Sequence, residues 1–247
     1  METEWVLGIA ASTIAAVSGM AIANKRSTTK IHETQEQAIV EEFVSPFLPE
    51  VISFHQLGTL GEDPFKTVNS EKLVVDIYAK SQVSGYHSYD RFDALTHIEM
   101  LGESAGEKKK ELLEFLFWYL DFANAILTDT VQSPNTLLRE VRQLQKHYAV
   151  WYICYEEMEN DAPDIIPELI RYSAYYASVL REIEMGVFRD LMQDEQKRRD
   201  RRGNFVRIIF QALEKQADGK VELSAVAQFH QHYDQQYTHR NKGKIRF

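Results

Sequence analysis

Apolar residues recur along most of this chain at intervals of three and four, the mark of helices with one buried face. The pattern is clearest after residue 134. Leu137, Val141, Leu144, Tyr148, Trp151, Tyr155 and Met158 alternate spacings of four and three, a heptad seam sustained over three repeats. The sequence NDAPD (160–164) breaks it, and Leu169, Tyr172, Tyr176, Leu180, Ile183, Val187 and Leu191 then resume the rhythm. The two segments predict a long antiparallel helical hairpin whose aromatic-rich seam serves packing.

Upstream, EKKKELLEFLFWYLDFANAIL (107–127) begins charged and becomes apolar most of the way round, which predicts a central helix of a bundle. Phe92, Leu95, Ile98 and Leu101 predict another helix before it, and Ser133-Pro134 a clean restart after it. SEKLVVDIYAKSQ (70–82) reads as a helix with Ser70 as N-cap. Residues 26–44 are polar and helix-compatible, and Pro46 and Pro49 should break or kink them. HQLGTLGEDP (55–64) predicts a loop. Downstream, Gly203-Asn204 should end or bend the helix that leaves the hairpin, and a last helix starts from Ser224.

Residues 5–23, WVLGIAASTIAAVSGMAIA, carry no charge at all. As a helix they span about 28 Å, close to the hydrocarbon thickness of a bilayer. Glu2 and Glu4 precede the run and Lys25, Arg26 and Lys30 follow it. This asymmetry predicts an inner-membrane protein with its N-terminus outside and the rest of the chain cytoplasmic. A secretory signal would want a basic start, which is missing. Within the run, Gly8, Ala11, Ala15, Gly19 and Ala23 form a stripe of small residues suited to close packing on a partner helix in lipid. The predicted organisation is a transmembrane anchor (1–24), a juxtamembrane helix and loop (25–64), and a cytoplasmic helical domain (65–247).

Composition sharpens this all-α expectation. With 11 Gly and 6 Pro in 247 residues, a turn-rich β architecture is disfavoured. The net charge of −9 argues against wholesale nucleic-acid binding. The single cysteine, Cys154, excludes an intramolecular disulfide. One basic run stands out, Lys197, Arg198, Arg199, Arg201 and Arg202; it suits an anionic partner, lipid headgroups or less readily nucleic acid, or a solvated helix end diluted by Asp194, Glu195 and Asp200.

Candidate chemistry is sparse. Gly102-Glu103-Ser104-Ala105-Gly106 spells the G-x-S-x-G of serine hydrolases, but no strand precedes it. Glycine, serine and Glu107 there fit a helix stop followed by a capping box. Glu-x-x-His, His-Glu-x-x-His and paired cysteines are all missing from the sequence, so neither a metal nor a cofactor is predicted. EKQADGKVELSA (214–225) has the cadence of a calcium loop, but it puts Ala225 where the bidentate glutamate belongs. His230, His232 and Asp234 read as surface residues. The spacing of Arg142 and His147 resembles the Arg–His motif of all-α ribonucleases of the HEPN type. That resemblance implies a proton-transferring His147 and an Arg142 that steadies a phosphorane.

These readings predict a membrane-anchored adaptor, regulator or complex subunit. It would act through a protein partner or a second copy of itself, in the manner of bacterial stress and phage-defence components. The enzymatic alternative is a membrane-tethered ribonuclease using Arg142 and His147.

Overall fold

The structure is a computed structural model that describes residues 38–84, 105–130, 135–158, 162–192, 199–217, 230 and 233–235. All regular structure among them is helical. The expected anchor with its Gly8–Ala23 stripe, the Phe92–Leu101 pattern, Ser104 and the turn at Gly219 lie outside the described residues. Among the described residues, no helix is long and apolar enough to cross a membrane.

A π-helical turn, Val40–Val44, leads directly into α1, Ser45–Thr59. Pro46 and Pro49 do not end the helix; in place of a break, a π-helical turn precedes Pro46, and Pro49 lies inside α1. Pro46 sits in the first turn of α1, where a missing N–H costs nothing. The wide turn before it closes through Ser45 N–H to Val40 O. HQLGTLGEDP is also not a plain loop, because α1 continues to Thr59. The helix stops at Gly61, whose φ of +84° favours glycine. Glu62 N–H donates to Leu57 O (3.0 Å) and Gly61 N–H to Gly58 O (3.1 Å), which closes a Schellman motif. Asp63 at once caps the single turn α2, Pro64–Thr67, by accepting from Phe65 N–H. The next helix is α3, Ser70–Ser84. Its cap is Asn69, not Ser70, since Asn69 Oδ1 accepts from Lys72 N–H at 3.0 Å.

The spine of the bundle is α4, Ala105–Thr130, against α5, Asn135–Met158. Lys110 meets Glu156, Asp121 meets Gln145 and Asn124 meets Arg142, so the two run antiparallel. The seam on α5 holds: Val141, Leu144, Tyr148, Trp151, Tyr155 and Met158 are all buried. As expected, α4 is buried on more than one side, through Leu113, Phe117, Leu120 and Phe122 among others.

The hairpin predicted between α5 and one long following helix takes a different form. That second arm is three helices, α6 (Ala162–Arg171), α7 (Ser173–Glu182) and α8 (Met185–Met192). The chain leaves helical geometry near Tyr172 and again at Ile183, where it is extended (φ −92°, ψ 127°). Lys146 on α5 explains the second joint. Its Nζ donates to Leu180 O (2.7 Å) and Ile183 O (2.6 Å), satisfying carbonyls that a helix end leaves open. Segmenting the arm lets it follow α5, which contacts α4, α6, α7, α8 and α9. The last of these, α9, runs Arg199–Ala217 straight through Gly203, which is buried, so the expected stop there is absent.

Candidate functional site

A group of polar atoms in aromatic surroundings forms where α1 crosses α5. His55 on α1 and His147 on α5 have ring centroids 5.1 Å apart. His55 stacks on Trp151 (5.5 Å, 17°), and His147 lies against Trp151 and Tyr176. The two aromatics are themselves fixed. Trp151 Nε1–H donates to Tyr176 Oη (2.8 Å), and Tyr176 O–H donates to Leu169 O (2.9 Å). Next to them, Tyr148 O–H donates to Val51 O at 2.8 Å and ties α1 to α5.

Both imidazoles are kept neutral. Burial pushes His55 down to about 4. Burial first, then the neighbouring His55, pushes His147 down to about 3. The tautomer of His147 follows from Gln143, whose Nε2 lies 3.4 Å from His147 Nε2 and also donates to Ala177 O. An amide nitrogen only donates, so His147 Nε2 accepts and the ring proton sits on Nδ1. His147 Nδ1 and His55 Nε2 are buried and have no hydrogen-bond partner among the described residues.

The predicted pair of Arg142 and His147 is not brought together. Arg142 is exposed and donates from Nε to Asn124 Oδ1 on α4 (3.2 Å), while His147 is 5 % exposed and faces α1 and α7. Five residues on one helix turn the two side chains toward different neighbours.

The basic run divides as well. Arg202 is buried. Its Nε donates to Leu191 O (2.7 Å) and its Nη1 lies 3.5 Å from Glu156, which also pairs with Lys110. It is a structural residue of the bundle, not part of a surface patch. Arg201 is exposed, 3.7 Å from Asp190. Arg199 opens α9, and Lys197 and Arg198 lie outside the described residues.

His230 is likewise not a surface residue. It is 5 % exposed and stacks on Phe210, with Nδ1 2.6 Å from Glu214 and Nε2 3.6 Å from Asp234, which in turn accepts from Arg207. No group of three or more His, Cys, Asp or Glu among the described residues is placed to hold a metal ion. Cys154 is fully buried, and burial raises its thiol far above its ordinary value, so it is held as a thiol.

Sequence reasoning missed His55. Two glycines within six residues made its segment look like a loop, and its partner is about ninety positions away in the chain. No family model matches this chain, and no curated protein or solved structure matches it.

Proposed function

We propose that this chain is a membrane-anchored helical interaction module, an adaptor or complex subunit working from the inner face of a bacterial inner membrane. The observation that carries the reading is the uncharged run 5–23 with acids before it and bases after it. The helical body supports it in one respect. Its conspicuous polar side chains are turned to internal use, with Asp121, Lys146, Glu156 and Arg202 all bonded inside the bundle. The small-residue stripe from Gly8 to Ala23 would pair the anchor with a partner helix or a second copy. Arg199 and Arg201, with Lys197 and Arg198, would meet anionic headgroups or an acidic partner.

Fractionation and affinity purification test the proposal. The full-length chain should sediment with membranes, resist carbonate extraction and co-purify from detergent with a partner or with itself. Removing residues 1–24 should move it to the soluble fraction. A full-length chain that is soluble, monomeric and without a partner overturns the reading.

A further inference from the structure

The crossing of α1 and α5 combines features that stable cores usually avoid. Two imidazoles lie 5.1 Å apart, each with a buried ring nitrogen that bonds to nothing among the described residues. Among the described residues the ring and hydrogen-bond contacts of the pair are with neutral groups: Trp151 and Gln143 from α5, and Tyr176 from α7 with its hydroxyl already given to Leu169 on α6. Tyr148, the other polar group at this crossing, is also neutral and spends its hydroxyl on Val51. Among the described residues, the titratable ring in contact with each imidazole that could share an arriving proton is the other imidazole.

We propose that the α1–α5 contact is a proton-sensitive latch: charging the His55–His147 pair releases α1 from the bundle and uncovers Trp151 and Tyr176.

The geometry sets the order of events. His55 is half-buried, with Nε2 on its enclosed side. His147 sits on the central helix and is almost fully enclosed. Charging His147 also breaks its one hydrogen bond, because a protonated Nε2 would point a donor at the Gln143 donor. A charge on either ring therefore favours the arrangement in which the two separate, and α1 is the element that gives way because His147 sits on the helix that contacts most of the bundle. Both folded values, about 4 and about 3, lie below the ordinary 6.5. The open or unfolded rings thus bind protons first. The latch holds fully above about pH 6.5 and weakens steadily as the pH falls from there toward 4.

Hydrogen exchange on the full-length protein tests this, with labelling times scaled for the intrinsic pH dependence of exchange. Between pH 7 and pH 5, peptides covering 45–59 should lose at least tenfold in protection relative to peptides from α4 and α5. The double variant His55→Gln, His147→Gln cannot take the charge, and its α1 should show no such acid response. Two results overturn the proposal: α1 staying in step with α5 across the range, or all helices losing protection together. Should the variant fail to fold, the imidazole NMR titration of the wild type decides. A His147 that titrates near 6.5 while α1 stays protected overturns the latch, and one that takes its proton only as α1 loses protection supports it.

Discussion

Asp121 and Arg189 form a salt bridge in which one carboxylate oxygen takes three donors. Asp121 Oδ1 accepts from Arg189 Nη2 (2.6 Å) and Nε (3.0 Å) and from Gln145 Nε2 (2.9 Å), while its side chain is 2 % exposed. The bridge fastens α8 to α4 across the flank of α5. Arg189→Ala would leave a buried carboxylate with one neutral donor. The expected loss is about 2–3 kcal/mol, at the low end for broken buried pairs because Arg189 is itself partly exposed. Asp121→Leu combined with Arg189→Met should cost less than Arg189→Ala alone, which a double-mutant cycle in urea measures.

The split of the basic run makes a second prediction. Arg202→Ala removes a buried donor from Leu191 O and an ion-pair partner from Glu156, and should destabilise the protein by about 2–4 kcal/mol. Arg201→Ala should change stability by less than about 0.5 kcal/mol, because its side chain is 71 % exposed. Thermal melts of the two variants should separate clearly. Equal melting points would remove Arg202 from the core.

Gly58 fixes how closely α1 approaches α6. A Cβ there would overlap Ile170 Cγ2, and Pro64 lies just beyond. Alanine is the better helix former by about 1 kcal/mol. Even so, Gly58→Ala should lower stability by about 1–3 kcal/mol through overpacking. Ile170→Leu moves the branch away from Cβ, so the double variant should be more stable than the sum of the two single effects. Chemical denaturation of all four proteins gives the coupling.

Tyr176→Phe deletes a single oxygen that accepts from Trp151 and donates to Leu169. The indole N–H stays buried without its acceptor. The expected cost is about 1–3 kcal/mol, with a change in the near-ultraviolet circular dichroism of Trp151. Unchanged stability would mean that water reaches the indole.

The long helices were legible in the sequence because each carries its own periodic record. Leu144, Tyr148 and Trp151 announce the buried face of α5 whatever lies against it. The breaks in the next arm were not legible. Ile183 and Val187 continue the seam on paper, yet the chain is extended at Ile183 and Val187 is 45 % exposed. The carbonyls at that joint are bonded by a lysine more than thirty residues earlier, and local periodicity holds no trace of it. The fate of polar residues was the least legible. Arg202 and His230 looked like surface and are buried, because an apolar neighbour and one or two partners from other helices are enough to draw them in. His147 was singled out for its spacing from Arg142, while its neighbour in space, His55, could be found only once α1 was laid against α5.

The bond from Tyr148 to Val51 closes a loop of 97 residues. The α4–α5 pair, by contrast, joins neighbours in sequence, and contacts of that kind form early. On a ribosome adding about 5–20 residues each second, α1 is made and then waits about 5–20 seconds for the face of α5 that carries Tyr148. Throughout that interval Phe54 can rest on Phe65, but neither it nor Val51 has Tyr148 to meet. During that wait the α5-facing side of α1 is open to chaperones and to its neighbours on the same polysome.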